Sequence, residues 1–313
     1  MTHSLQLTAT LATAALGLVL NWGASGASAQ PVAPGVTRPV YRVAESTPPK
    51  VDTAVTPAAT AQPVAAQPPG LEGSPFDLRQ RPGEHPLMPC LRLAKQGLAE
   101  MNAGLRCYSG TLTKTELIDG QVVGPQAMNI RVQQKPFAVH MKFVNPFPGR
   151  EVLYNSGLNK TKLTARGDGW KWRMGKMELD VNGAMAMNGQ RYPITMTGLY
   201  NLTAELVKVA EQDVKYGECT VSYSTQYKVD GRPTTMIETV HPTPRRNFRY
   251  NIARIYIDHG YRVPTKYSAW TWPKRQGGQP LLEEEYTYTN LKLNPALTAA
   301  DFDPSNPALF SKK

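Results

Sequence analysis

The sequence lacks the motifs that most often identify an enzyme. It contains no GxSxG, HExxH, P-loop or dinucleotide-binding fingerprint, and each of these motifs marks a defined chemistry. No nucleophile lies beside a base in a recognisable set, and we interpret each histidine as a surface or core residue. The five histidines are His3, His85, His140, His241 and His259. We therefore expect no catalytic residues, no enzymatic activity and no cofactor.

Cysteine is rare, and its three positions are Cys90, Cys107 and Cys219. No CxxC or Cys/His spacing predicts a metal site. If Cys90 and Cys107 lie at the two ends of one helix, they are about 25 Å apart. A disulfide needs Cα atoms within about 7 Å. A bridge would therefore have to use Cys219, and we predict the pair Cys107–Cys219; the alternative is three buried free thiols.

Long apolar runs are also missing. Residues 11–20 form an apolar run that is shorter than the roughly 20 residues needed to cross a bilayer. Ala27-Ser28-Ala29 follows, with the small residues that signal peptidase accepts, although the usual positive start is absent. We predict that residues 1–29 are a signal peptide; the alternative is a disordered apolar leader. The mature chain is expected to be soluble, without a transmembrane segment, and exported to the periplasm or cell envelope.

Acidic residues are outnumbered, which gives a net charge of +11. Residues 30–84 hold five basic and five acidic residues, so the excess lies in the rest of the chain. A basic surface suits anionic partners such as lipid head groups or acidic glycans. Because an exported protein seldom meets nucleic acid, we expect no nucleic-acid partner. The alternative is a solvated basic surface without a specific ligand.

Residues 30–84 are rich in Pro, Ala, Thr, Val and Gln. Such a segment cannot bury enough apolar area to offset its ordering entropy. We predict a disordered Pro/Ala-rich tether that acts as a spacer. The folded β domain is predicted to occupy residues 85–313.

Aromatic and β-branched residues at period two predict strands over most of the remaining chain. A predicted helix at residues 86–103 precedes six or seven strands, among them residues 170–174. A second helix at residues 197–215 precedes five strands, of which the clearest spans residues 248–257. This order predicts a mainly β (α+β) fold: a large curved antiparallel sheet or incomplete β-barrel with helices over the concave face.

Aromatic residues supply the candidate binding residues. Two tryptophan pairs occur at period two, so the members of each pair share one face of a strand. They are predicted to line a lipid-sized pocket, since aromatic walls are usual there; the alternative is core packing. Arg150 is predicted to lie at the pocket's rim and to pair with Glu151; the alternative is an exposed pair worth under about 1 kcal/mol. The candidate ligand-binding residues are Trp170, Trp172, Tyr256, Trp270, Trp272 and Arg150.

Three segments resemble the DUF1571 family: residues 137–159, the run Arg191-Tyr192-Pro193-Ile194-Thr195, and residues 285–303. The resemblance extends over residues 85–306, with His140 where the family segment has tyrosine. In strand and helix order the family is similar to the LolA/LolB lipoprotein-carrier superfamily, whose incomplete barrel carries a helical lid over an apolar cavity. The resemblance implies non-enzymatic binding of a lipid or other amphiphile. The alternative is a structural or sensory envelope module that contacts another protein through a filled, closed β domain.

Overall fold

The computed structural model describes residues 67–275 and 277–311. The predicted signal peptide and residues 30–66 of the predicted tether lie outside this part of the chain. The predicted boundary at residue 85 is too late, because Leu71, Phe76 and Leu78 are buried. Together with Leu93 and Ile237 they form one apolar cluster. The end of the proline-rich segment therefore belongs to the folded domain.

The described residues form eleven strands and three α-helices. The strands are β1 Cys107–Ile118, β2 Gln121–Gln133, β3 Ala138–Asn145, β4 Glu151–Asn155, β5 Lys162–Arg166, β6 Lys176–Asp180, β7 Thr220–Val229, β8 Arg232–Val240, β9 Ile252–Asp258, β10 Pro264–Thr271 and β11 Leu281–Leu293. The helices are α1 Met88–Gly104, α2 Ala184–Met187 and α3 Leu199–Asp213, with short 3₁₀ helices at Gly169–Met174, Ile194–Met196 and Ala299–Phe302.

All of these strands belong to one antiparallel sheet in the order β6-β5-β4-β3-β2-β1-β11-β10-β9-β8-β7. The first and last strands, β1 and β11, pair at its centre. This pairing joins the two predicted meanders into a single sheet. Within the described chain the edge strands β6 and β7 do not pair with each other, so the sheet stays open. The predicted curved antiparallel sheet is confirmed.

Two tight turns set the register of two hairpins, β1–β2 near the centre of the sheet and β7–β8 at its edge. Asp119 and Gly120 between β1 and β2 have φ values of 51° and 78°. Asp230 and Gly231 between β7 and β8 have φ values of 53° and 74°. Two consecutive residues with positive φ give the turn whose twist matches antiparallel strands, and Asp-Gly is among its preferred sequences. Local chemistry therefore fixes both hairpins, as the sequence predicts.

Two predicted strands are wrong in part. Residues 170–174 form a 3₁₀ helix, because Gly169 and Gly175 have φ values of 54° and 80° and end the extended runs on either side. The strand predicted from residue 248 begins at Ile252. The backbone N–H of Phe248 donates to the carbonyl of Arg245 at 3.1 Å, so the chain is still turning there.

The helix pair α1 and α3 covers the face of the sheet formed by β8, β9 and β10, which we call the concave face. Ile255 and Ile257 of β9 point toward the helix pair. Tyr256, between them, packs on the opposite face against Val229 and Met236. This alternation is the normal pleat of a strand. One face of these strands is therefore apolar core under the helices.

The start of α3 is fixed by the sheet. The backbone N–H of Leu199 donates to the Tyr108 hydroxyl at 2.9 Å, and both residues are buried. Gly198 precedes the helix with φ 116° and ψ 163°, a conformation essentially restricted to glycine. A Cβ at Gly198 would lie 2.8 Å from the Tyr108 hydroxyl. The entry into α3 therefore requires glycine.

We predict opposite effects for two glycine-to-alanine substitutions. Gly198→Ala should lower the free energy of unfolding by about 1–3 kcal/mol, because it strains the backbone and displaces Tyr108. Gly97→Ala should raise it by about 1 kcal/mol, because Gly97 lies inside α1 and its Cβ would meet no atom within 4 Å. Denaturant titration measures both. Equal changes for the two variants would contradict this description of the entry into α3.

Candidate ligand-binding site

A cavity of about 110 Å³ lies between the helix pair and strands β8, β9 and β10. Its walls are mostly apolar, and they come from both sides. The helices contribute Leu91, Ala94, Gly97, Met101, Leu206, Val209 and Ala210, and the strands contribute Ile237, Ala253, Ile255, Ile257 and Tyr267, among others. The volume is well below the roughly 300–1,000 Å³ of small-molecule pockets. The cavity is therefore smaller than the lipid-sized pocket predicted from the sequence.

One end of the cavity is polar and is formed by His241 and Asp213; we call it the polar end. Each of the two residues is 5% exposed. His241 Nε2 is buried without a hydrogen-bond partner, and Asp213 Oδ2 lies 3.5 Å from it. His241 Nδ1 lies 3.2 Å from the carbonyl of Tyr250. Because a carbonyl only accepts, Nδ1 carries the proton and Nε2 keeps a free lone pair.

The imidazole of His241 is held on several sides. Its ring stacks on Phe248 with ring centroids 4.1 Å apart. The backbone carbonyl of His241 accepts hydrogen bonds from Trp272 Nε1 at 3.0 Å and from Asn251 Nδ2 at 2.9 Å. The backbone N–H of His241 donates to the carbonyl of Asn251 at 2.8 Å. The ring is therefore fixed by Phe248 and Tyr250, with Nε2 on the side of Asp213, which also lines the cavity.

Burial disfavours the charged form of both side chains at the polar end. Removal from water raises the pKa of Asp213 to about 6. Burial likewise lowers the pKa of His241 below its usual 6.5, although the hydrogen bond to Tyr250 opposes this shift. The 3.5 Å separation is longer than a good hydrogen bond. The pair is therefore a neutral imidazole beside a weak acid and not a stable ion pair.

Beside the apolar core around Tyr108 and Tyr288, the same side of β1 and β11 carries a buried charged cluster. Glu116 and Glu284 are 3% and 2% exposed. Tyr286 donates to Glu116 at 2.8 Å, and Lys114 Nζ lies 2.8 Å from the same carboxylate. Arg191 contacts Glu284 at 3.4 Å and also donates its backbone N–H to Glu116 at 3.1 Å. These contacts fix the segment between α2 and α3 to β1 and β11.

One ion pair joins α1 to α3, and three link the two helices to their surroundings, among them Arg92 of α1 with Glu84. Lys95 of α1 pairs with Glu211 of α3 at 2.7 Å, and Arg262 pairs with Glu100 of α1 at 3.0 Å. Arg249 pairs with Glu205 of α3 at 2.8 Å. Solvent-accessible pairs of this kind each contribute under about 1 kcal/mol. Apolar packing, and not charge, therefore holds most of the helix pair on the sheet.

The residues predicted to bind a ligand do not come together. Tyr256 and Trp270 lie on the face opposite the cavity, where Arg254 stacks over Trp270 at 5.0 Å. Trp170 is 72% exposed in the 3₁₀ helix between β5 and β6. The side chain of Trp172 lies outside the described part. Trp272 is not among the residues that line the cavity, and its Nε1 donates to the backbone carbonyl of His241 at 3.0 Å.

Arg150 does not pair with Glu151 as predicted. Its Nη2 lies 2.9 Å from Asp168 Oδ1, and its guanidinium stacks over Phe147 at 3.8 Å. Glu151 is buried and accepts from His140 Nε2 at 2.6 Å. Neighbouring residues of a strand point to opposite faces, so Arg150 and Glu151 diverge where β4 begins.

The predicted disulfide Cys107–Cys219 does not form, and all three cysteines are free. Cys107 begins β1, whereas Cys219 immediately precedes β7, five strands away in the sheet. At about 4.8 Å per strand this separation is about 24 Å. Cys107 instead donates its thiol to the carbonyl of Pro295 at 3.3 Å.

Sequence reasoning missed the polar end, although half of its signal was visible. Asp213 falls three and four residues after Ala210 and Val209, on the apolar stripe of α3. A carboxylate on such a stripe indicates a buried polar site. Its neighbour His241 is 28 positions further along the chain, and only the packed sheet shows that the two side chains meet.

Two further observations bound the chemistry. Across residues 67–275 and 277–311, no group of three or more His, Cys, Asp or Glu side chains is placed to hold a metal ion. Over the same residues, none of the helices combines the length and the apolar character needed to cross a membrane.

We predict that Asp213→Asn stabilises the protein in a pH-dependent way. Below the ordinary aspartate pKa of 3.8 the carboxyl is protonated whether the chain is folded or not, so the variant should match the wild type. Between 3.8 and about 6 the unfolded chain gives up the proton more readily, and wild-type stability falls. Above that interval the variant should exceed the wild type by up to about 3 kcal/mol.

Denaturant titrations across this pH range measure the difference between the variant and the wild type. Glu211→Gln is the matched control, because Glu211 is an exposed carboxylate of the same helix. Its effect should stay below about 1 kcal/mol at every pH. If the free energy of unfolding of Asp213→Asn exceeds that of the wild type by the same amount at every pH, or falls below it, burial does not raise the pKa of Asp213.

Similar structures are known, but their likeness is low. MucB in the MucA/MucB complex of Pseudomonas aeruginosa is 15% identical, with a TM-score of 0.39, and the match covers 69% of this chain and 61% of that chain. The Mycobacterium tuberculosis lipoprotein LppX is 12% identical, with a TM-score of 0.39 over 69% and 100% of the chains. A LolA superfamily protein from Nitrosomonas europaea is 10% identical, with a TM-score of 0.26 over 68% and 97%.

The chain spans less than two thirds of the MucB that it matches, and likeness at this level says nothing of what this chain binds. No curated protein matches the sequence. The model of the family described as "Protein of unknown function (DUF1571)" matches residues 105–309, which is more than half of the 313 residues. The resemblance expected from the sequence is confirmed, and this chain belongs to the DUF1571 family.

Proposed function

We propose that this protein is an exported cell-envelope protein that binds an amphiphile without catalysis. The apolar chain of the ligand enters between the helix pair and strands β8, β9 and β10. The observation that carries the proposal is the apolar cavity at this place, with a polar end at His241 and Asp213. An apolar enclosure with one polar end matches a molecule that has an apolar chain and one polar head.

The size of the cavity implies movement. About 110 Å³ accommodates only part of a long acyl chain, so a larger ligand must displace α1 and α3 from the sheet. The exposed ion pairs of the helix pair resist this weakly. Burial of the ligand's apolar surface, worth about 25 cal/mol per Å², offsets the packing that the helices lose. The helix pair thus acts as a cover that opens.

Export and absence of catalysis complete the proposal. Residues 1–29 have the apolar run and small-residue ending of a signal peptide. The two titratable groups of the polar end offer a general base at most, and the cavity presents no hydroxyl or thiolate nucleophile within hydrogen-bond distance of His241 Nε2 among the described residues. These features favour a binding protein.

A second candidate is a module that contacts another protein through its outer surface. The small volume of the cavity favours it, as do the large apolar side chains that lie in solvent, Trp170, Met174 and Met185. In this case the helix pair would be permanent core, and no amphiphile would enter. The two candidates therefore differ in the contents of the cavity.

We predict that protein produced by secretion carries an amphiphile, which mass spectrometry of an organic extract would identify. Ala94→Leu places an isobutyl group into the cavity and should lower occupancy about tenfold or more. Ala99→Leu is the matched control, because Ala94 lines the cavity whereas Ala99 is exposed on the same helix. It should keep wild-type occupancy. An empty wild-type protein, or equal occupancy in both variants, would favour the protein-contact module.

A further inference from the structure

We propose that the polar end of the cavity selects amphiphiles whose head group is an uncharged hydrogen-bond donor, such as a hydroxyl, over amphiphiles with a carboxylate head. This inference rests on the proposed binding function and names the ligand class of the same site. It follows from the hydrogen-bonding groups that the polar end presents and from those that it lacks.

The first step is the unpaired acceptor. His241 Nε2 is buried and has no partner, and its lone pair can be satisfied only by a donor. The ring cannot turn to offer a proton instead, because Nδ1 already donates to Tyr250 and the ring stacks on Phe248. A buried polar group left unpaired costs about 1–3 kcal/mol. A ligand that donates here removes that cost.

The second step is the neighbouring carboxylate. Asp213 Oδ2 lies 3.5 Å from His241 Nε2, so the polar end places two acceptors side by side. At neutral pH Asp213 is mostly ionised, since its pKa is about 6. A carboxylate head would meet this negative charge in a poorly solvated site, where repulsion is stronger than in water. A hydroxyl head carries no charge and can donate to either acceptor.

The third step is the remaining polar lining near the polar end. Thr239 precedes His241 by two residues and lines the same cavity, so its hydroxyl points to the same side. This hydroxyl can donate to the oxygen of a ligand hydroxyl that itself donates to His241. A hydroxyl head can therefore accept from Thr239 and donate to His241. An ether or ester oxygen can only accept.

The opposite end of the cavity does not favour an anion either. Strand β9 runs from beside His241 to the turn that carries Arg262. Arg262 lines the cavity but is already paired with Glu100 at 3.0 Å, and its guanidinium lies over Phe76 at 5.2 Å. A carboxylate ligand would have to compete with Glu100 for this charge.

The test compares three probes of the same length: n-octanol, heptyl methyl ether and octanoate. Isothermal titration calorimetry at neutral pH gives their dissociation constants for the mature wild-type chain freed of bound amphiphile. We expect n-octanol to bind about tenfold more tightly than the ether, which accepts but cannot donate. Octanoate should bind most weakly. Equal affinities for all three, or tightest binding of octanoate, would overturn the selectivity while leaving the binding function intact.

Two variants locate the effect. His241→Phe keeps the stacking on Phe248 but removes one of the two acceptors, so the advantage of n-octanol over the ether should fall about threefold or more while ether affinity stays within about twofold. Asp213→Asn removes the negative charge and should raise octanoate affinity. An undiminished n-octanol advantage in His241→Phe would overturn the assignment. If His241→Phe does not fold, the wild-type ranking decides. If no probe binds the wild type, the binding function itself fails.

Discussion

The concave face of the sheet has to be covered, and the structure covers it by apolar packing of the helices and by one buried charged cluster. Strands β8, β9 and β10 turn apolar side chains such as Ile237, Ile255 and Ile257 toward this face. Exposure of these side chains would cost about 25 cal/mol per Å². Two helices of 17 and 15 residues meet that requirement. They do so incompletely, and the cavity is the space that remains.

On β1 and β11 the same face combines the apolar core around Tyr108 and Tyr288 with a buried charged cluster. Glu116 and Glu284 are buried, and each is matched by a cation or a tyrosine hydroxyl. A buried charge without such partners is strongly destabilising, so the network cannot open piece by piece. The segment before α3 is therefore firmly attached, whereas the helix pair depends on apolar contacts that another apolar molecule can replace. This contrast assigns movement to α1 and α3.

Local sequence chemistry was enough for most of the fold. The Asp-Gly turns and the alternation along the strands predict the hairpins, and the apolar stripes predict α1 and α3. Local sequence could not show which face of the strands the helices cover. Tyr256 and Trp270 are aromatic, but they share their face with Arg254, which lies over the Trp270 ring on the side away from the helices. The face that the helices cover carries the aliphatic residues Ala253, Ile255 and Ile257.

The polar end of the cavity could also be predicted only in part from the sequence. Asp213 could be recognised from its place on an apolar stripe, but its contact with His241 depends on strand order and on the antiparallel packing of two helices. The domain boundary failed for a related reason. Leu71, Phe76 and Leu78 lie in a proline-rich segment whose composition predicts disorder, and only their burial against α1 and β8 places them in the core.

Amide hydrogen exchange of α1 and α3, compared with the central strands β1 and β11, tests the central claim most directly. A cover held by replaceable apolar contacts should exchange much faster than the strands when the cavity is empty, and it should slow on addition of n-octanol while the strands stay unchanged. Exchange in the helix pair that is as slow as in β1 and β11, and that does not respond to the alcohol, would contradict the account.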